Sequence, residues 1–250
     1  MHRNIVLPNL VTLLGMLAGM FALVSVMNGR FMTGAWAILL AAVFDGLDGK
    51  VARLVNGASE FGVQLDSLAD LVSFGVAPAV LVYHWQFMPH KQLGMMVMFL
   101  YVACSALRLA RFNVQTKRIS NVFFVGLPVP AAAAVIASSV LFIQHLNITD
   151  NRILSNISLG MVVLLAFLMV STIPYYSFKK FRFGIRQFYI IFFAVLIIFL
   201  VGLQPFIGIF VCLMLYIASG FIMIPFRARA TAYLEKTGKK PPLAAEKTES

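Results

Sequence analysis

The sequence predicts an all-α integral membrane protein, a polytopic helical bundle of about eight transmembrane helices. Three observations carry this prediction. The 250 residues are 61% hydrophobic and 12% charged, whereas a soluble domain is nearer half apolar and a quarter charged. The apolar residues fall in runs close to the roughly 20 residues that cross a hydrocarbon core. The basic residues collect in alternate connections between those runs, as they do when one face of a membrane is cytoplasmic.

The spans are expected at about 8–28, 32–55, 64–84, 93–113, 124–146, 155–175, 187–203 and 205–226. The first follows a short basic start at Arg3 and resembles a targeting segment, but its apolar run continues to about Met27 with no small-residue cleavage site, so it reads as a retained span. Gly202 and Pro205 mark a tight turn before the last span. From about residue 228 the chain turns polar, with Lys239, Lys240, Pro241 and Pro242, and reads as a disordered tail. The expected organisation is therefore a transmembrane domain over 1–227, its core at about 5–200, and a polar cytoplasmic tail over 228–250. With the N-terminus inside, 17 of the 20 Lys and Arg lie on inner segments, and only Arg30, Lys91 and Arg152 lie outside. That division supports an even number of spans with both termini cytoplasmic. The net charge of +11 would point to nucleic acid in a soluble protein. Here positive-inside placement and attraction to anionic lipid account for it, and no nucleic-acid partner is expected. Cys104 and Cys212 sit in apolar runs and imply no disulfide framework. The Asn147 and Asn156 glycosylation patterns are short enough to arise by chance. There is no internal repeat, no Walker loop, no G-x-G-x-x-G and no Cys/His metal spacing.

One window departs from this apolar background. Of nine acidic residues, five fall between Asp45 and Asp70: Asp45, Asp48, Glu60, Asp66 and Asp70. An aspartate at the centre of a membrane helix costs roughly 2.5–3.5 kcal/mol on insertion scales. Four of them flanked by apolar sequence call for a compensating partner, and a hard divalent cation is the natural one for clustered carboxylates. On a helix Asp45 and Asp48 share a face, with the small residues Gly49 and Ala52 on or beside it. Gly62, Asp66 and Asp70 recur every four residues and form a second face. A turn at Asn56-Gly57 lets the two faces meet. Four converging carboxylates repel unless neutralised, and one or two Mg²⁺ or Mn²⁺ ions would do this. Mg²⁺ favours a few carboxylates plus substrate phosphates, and a two-metal site stabilises the attacking and leaving oxygens of a phosphoryl displacement. Arg53 beside the carboxylates can hold a phosphate oxygen. The bland alternatives are a proton relay or ion pathway, as in a cation or proton transporter, and a non-catalytic membrane scaffold.

The string Asp45-Gly46-Leu47-Asp48-Gly49-Lys50-Val51-Ala52-Arg53, eight residues, then Gly62-x-x-x-Asp66-x-x-x-Asp70, resembles the signature of the CDP-alcohol phosphotransferase family at every position. That family moves a phosphatidyl or similar group from a CDP-linked donor to an alcohol and releases CMP. The resemblance implies a six-span core with two divalent cations at the cytoplasmic surface, the last two spans here being an additional pair. It implies Asp45, Asp48 and Asp66 as metal ligands, and Asp70 as both a metal contact and the general base. It implies Gly49, Ala52 and Gly62 against the nucleotide, with Arg53 fixing the motif or the phosphates. Pro8-Asn9-Leu10-Val11-Thr12 is similar to a stretch the family uses near the CDP, so Asn9 and Thr12 are nucleotide-site candidates, the alternative being a helix start and its cap. Relatives pair as homodimers.

Four stretches resemble the membrane-spanning branch of that family whose donor is CDP-diacylglycerol and whose acceptor is L-serine. They are Leu7–Leu13, Asp66–Ala79, Ala106–Asn113 and Phe124–Ala133, within about residues 5–135. A serine carboxylate calls for a cation, best an Arg fork. Arg108 and Arg111, three apart at the inner end of the fourth span, and the following Asn113 are candidates for that carboxylate or for the donor phosphates, against the alternative of ordinary positive-inside anchors. Glycerol 3-phosphate, inositol phosphate or choline would be the competing acceptors. His84, His90 and His145 fall near the outer face and receive no catalytic role. The expected location is a bacterial inner membrane, with the site facing the cytoplasm.

Overall fold

The computed structural model describes residues 3–55, 59–116, 124–148, 152–171, 173–175, 202, 204–218 and 220. The turn at Asn56-Gly57, almost all of the predicted seventh span and the tail at 228–250 lie outside these residues.

Among the described residues the architecture is helical, with one small exception. Its helices are α1 (Arg3–Met27), α2 (Phe31–Leu54), α3 (Glu60–Asp70), α4 (Ala77–Val82), α5 (Lys91–Thr116), α6 (Val129–His145), α7 (Arg152–Val170) and α8 (Pro205–Ala218). The π-helical turns Leu71–Val76 and Tyr83–Phe87 and a 3₁₀ turn at Met88–His90 join α3, α4 and α5 into a nearly unbroken helical path. Among the described residues four helical stretches are long and apolar enough to cross a membrane: Val6–Met27, Phe31–Leu54, Glu60–Val114 and Arg152–Val170. The third, 55 residues, would measure about 80 Å as one straight helix, far beyond a hydrocarbon core of about 30 Å. It reverses instead at Lys91, whose φ of 46° breaks the helix. The returning α5 then packs along the outgoing rod, as expected from separate spans at 64–84 and 93–113.

α1 and α2 form a hairpin that turns at Gly29, φ 73°, where the Asn28 side-chain amide donates to the Val24 carbonyl at 2.9 Å. Their seam is built from small buried residues, among them Ala18, Ala22, Gly34, Ala37 and Ala41. Lipid provides no hydrophobic drive between helices, so close backbone approach supplies the dispersion contact. Gly19 continues this seam against the π turn: a Cβ there would stand 2.7 Å from Ser73 Cα. Ser73 in turn donates to the Gly15 carbonyl at 3.3 Å.

The π turn has a local cause. Pro78 has no N–H to give the Phe74 carbonyl, and the Ala77 N–H reaches back five residues to the Val72 carbonyl. The fully buried Tyr101 of α5 fills the vacancy, its hydroxyl donating to the Phe74 carbonyl at 3.2 Å. A proline thus frees an acceptor that a neighbouring helix uses.

The predicted fifth span, 124–146, begins later than expected. Gly126, at φ 85°, and Pro128 hold the chain extended until α6 starts at Val129. The residues before it form β1 (Phe124–Val125), paired antiparallel with β2 (Pro174–Tyr175). The Leu127 N–H donates to the Leu168 carbonyl at 3.0 Å, which gives the end of α7 a backbone partner. α8 packs into the bundle through aromatic rings. Phe206 meets Trp36 of α2 and His145 of α6, with centroids 6.1 and 4.6 Å away, and Phe210 stacks on Phe142 at 4.8 Å. Ile217 is buried in the core.

Candidate active site

The N-terminal half of α1, the C-terminal half of α2 and the start of the α3 rod enclose the acidic side chains. Ser59 caps α3, its hydroxyl accepting from the Gly62 N–H at 3.0 Å, so that Gly62, Asp66 and Asp70 project on one face as their spacing predicts. Asp45 and Asp48 come from the facing side of α2. Asp45, Asp48 and Asp66 bring one carboxylate oxygen each to within 4.8 Å of one another. Asp70, a turn further along, lies within hydrogen-bond reach of Asp45. The four carboxylates, with Thr12, Ser73 and Phe74 among their neighbours, line a crevice of about 10 Å³, roughly the space one water or small ion needs. Asp48 is 7% exposed and the other three are partly buried.

Such a cluster does not hold itself together. Two unit charges 4 Å apart repel by about 4 kcal/mol at an effective dielectric of 20. Among the described residues, the guanidinium within electrostatic reach of Asp70 and Asp45 is Arg108, buried at 8% exposure. One such cation leaves most of the charge of four carboxylates uncompensated. The donors are all hard oxygens and three share a common centre, so the residues present fit a divalent cation, held by Asp45, Asp48 and Asp66. Thr12 orients one of them: its hydroxyl donates to Asp48 Oδ2 at 2.9 Å, with the Pro8 carbonyl 3.1 Å away.

A second, wider cleft of about 160 Å³ shares Thr12, Asp48 and Asp66 with the crevice and is otherwise lined by Pro8, Asn9, Gly49, Ala52, Ser59, Gly62 and Val63. Every residue that the sequence assigned to the nucleotide thus lies on this cleft except Arg53. Arg53 is exposed, and its Nε returns to its own helix, donating to the Gly49 carbonyl at 2.9 Å. The absent side chain of Gly49 leaves open space, whereas a Cβ on Gly62 would stand 3.1 Å from Asn9 Oδ1.

The three acceptor candidates separate. Arg108 turns inward toward Asp70 and Asp45, its guanidinium 5.7 Å from the Phe112 ring centroid. Arg111 points elsewhere, and its Nη1 donates to the Val170 carbonyl at the end of α7, 3.2 Å away. Asn113 reaches Ser67 of α3, its amide donating to the serine hydroxyl at 2.9 Å. Sequence reasoning missed Ser59 and Ser67. Ser59 was detectable as a helix cap before Glu60, but Ser67 is defined only by a partner 46 residues away.

A sequence model described as CDP-alcohol phosphatidyltransferase matches residues 5–173, more than half of the chain. The chain belongs to the CDP-alcohol phosphatidyltransferase family. It is 36% identical over 215 residues to a CDP-diacylglycerol–serine O-phosphatidyltransferase of Helicobacter pylori strain J99, covering 86% of this chain and 89% of that one. To the enzyme of the same name from Methanocaldococcus jannaschii it is 33% identical over 221 residues, covering 88% and 95%. A Saccharomyces cerevisiae protein of that name is 37% identical over 167 residues, 60% of this chain and 59% of the other. As a member of this family the chain has its signature aspartates gathered at one crevice, and the resemblance drawn from the motif holds.

Proposed function

We propose that this protein transfers the phosphatidyl group of CDP-diacylglycerol to L-serine, giving phosphatidylserine and CMP. The observation that carries the reading is the convergence of Asp45, Asp48, Asp66 and Asp70 on one crevice beside a cleft without bulky side chains at Gly49, Ala52 and Gly62. The relatives named CDP-diacylglycerol–serine O-phosphatidyltransferase support serine as the acceptor.

In this reading Asn9, Gly49, Ala52 and Gly62 receive the nucleotide in the cleft, and Thr12 fixes Asp48. Asp45, Asp48 and Asp66, with Asp70 in contact, would hold two Mg²⁺ or Mn²⁺ ions, whose chemistry would be electrostatic stabilisation of the donor pyrophosphate and the departing CMP. Asp70 takes the proton from the serine hydroxyl. The serine oxygen bonds to the phosphorus that bears the diacylglycerol, and the bond from that phosphorus to the CMP oxygen breaks. Arg108, beside Asp70, takes the serine carboxylate, which lies two carbons from the reacting hydroxyl. Arg111 and Asn113 support this arrangement by tying α5 to α7 and α3, and Arg53 steadies the motif helix. The chain is read as eight spans with both termini and the site cytoplasmic, working as a homodimer in a bacterial inner membrane, with 1–227 as the catalytic domain and 228–250 as a tail.

The test is to supply the purified protein with CDP-diacylglycerol and, in turn, labelled L-serine, glycerol 3-phosphate, inositol phosphate and choline. Serine-dependent CMP release, abolished by EDTA and restored by Mg²⁺ or Mn²⁺, is the expected result. Label entering another alcohol instead would replace the acceptor. Ion flux in liposomes without CMP release would replace the enzyme with a transporter.

A further inference from the structure

We propose that Tyr101 is a positioning residue for Asp70: its hydroxyl, bonded to the Phe74 carbonyl, fixes the wide π turn on which the direction of the Asp70 carboxylate depends. Asp70 ends α3, and the π turn Leu71–Val76 follows it without a break. Two residues of that turn, Ser73 and Phe74, line the acidic crevice together with Asp70. A π turn closes over one residue more than an α turn. At 3.6 residues per turn, one extra residue rotates the helix before it by about 100° relative to the helix after it. The helix after it is held in place, because Ala77, Ala79, Leu81 and Val82 of α4 are buried in the core. The π turn therefore decides where α3 aims Asp70.

This turn is secured from outside its own helix. Pro78 has no N–H for the Phe74 carbonyl, and Phe74 is 1% exposed, so water does not serve that acceptor. Tyr101 of α5 does: fully buried, it donates its hydroxyl proton to the carbonyl at 3.2 Å. Gly75 lets α5 come this close, since a Cβ there would stand 3.4 Å from Ser105 Cβ. Ser105, one turn beyond Tyr101, donates to the Tyr101 carbonyl at 2.8 Å and has Met169 Sδ of α7 3.6 Å away. The phenol thus reaches the turn from a helix that is itself packed on a third. The inference rests on the reading of Asp70 as the general base.

The experiment places Tyr101→Phe in three backgrounds: the parent, Asp70→Asn and Pro78→Ala. It measures kcat per folded molecule, both KM values, melting temperature in detergent and hydrogen exchange over residues 71–77. Phenylalanine keeps the ring and removes only the hydroxyl. In the parent, kcat should fall about ten- to a hundredfold, the loss that a misplacement near 1 Å produces. The KM for CDP-diacylglycerol should not change, and exchange over 71–77 should quicken. In Asp70→Asn the same change should add less than about twofold, because the group it positions no longer takes a proton. In Pro78→Ala the new N–H can serve the Phe74 carbonyl, so the loss should shrink to about twofold. A parental kcat in Tyr101→Phe would overturn the proposal and leave Asp70 as the base. An unchanged kcat in Asp70→Asn would remove the base reading, and the inference with it. Equal losses in the parent and Pro78→Ala backgrounds would show that the hydroxyl does not act through the Phe74 carbonyl. A lowered melting temperature with kcat per folded molecule intact would make Tyr101 a packing residue only.

Discussion

Thr12 and Asp70 show how much a single side-chain atom decides here. The Thr12 hydroxyl ties α1 to α2 through Asp48 Oδ2 at 2.9 Å. Threonine and valine have nearly the same shape, so Thr12→Val removes one hydrogen bond and little else. A group that orients a metal ligand typically contributes 10- to 100-fold in metal affinity or activity. Thr12→Val should therefore shift the Mg²⁺ concentration for half-maximal activity upward by roughly that factor, read from a metal titration. At Asp70, asparagine keeps the size and loses the ability to accept a proton. General-base assistance contributes about 10²- to 10⁴-fold, and kcat for Asp70→Asn should fall by that order. An unchanged kcat would take the base role away from this residue. The four aspartates were legible in the sequence because each stands out against apolar neighbours. Arg108 and Arg111 were not separable that way. They are three residues apart on one helix with the same charge, and the choice between them is made by α3 and α7, which sequence spacing does not describe.

At the scale of elements, close approach of backbones holds the site in shape. Gly19 faces Ser73, and a Cβ there meets the serine side chain and its Cα. Overpacking of this kind costs roughly 1–3 kcal/mol. Gly19→Ala should lower the melting temperature in detergent and reduce CMP release, since the strand of contacts it disturbs begins three residues after Asp70. A melting temperature equal to that of the parent would show that α1 moves aside freely. The hydropathy pattern located the α3–α5 region as two spans but gave no sign of the wide turn at Leu71–Val76. Hydropathy averages over a turn and is blind to one extra residue within it. Pro78 was the available clue, and its effect depends on Tyr101 arriving from another helix. The late start of α6 is a different case: Gly126, Pro128 and Pro130 stood in the sequence, and the apolar run around them masked their meaning.

For the whole molecule, the division of basic residues makes a prediction about sides. In a chain whose Cys104 and Cys212 are replaced, Arg30→Cys should react with an impermeant maleimide on intact cells. Lys50→Cys should react only after permeabilisation. Labelling of Lys50→Cys from outside would invert the orientation expected from the 17-to-3 division of basic residues. One further consequence follows from where the pieces of the site lie along the chain. All four aspartates and Thr12 are contained in the first 70 residues, whereas Arg108 is translated later. At about 5–20 residues per second, the ribosome needs on the order of a few seconds to go from Asp70 to Arg108. A nascent chain would thus carry its whole acidic motif before it gains the cation proposed here to meet the acceptor.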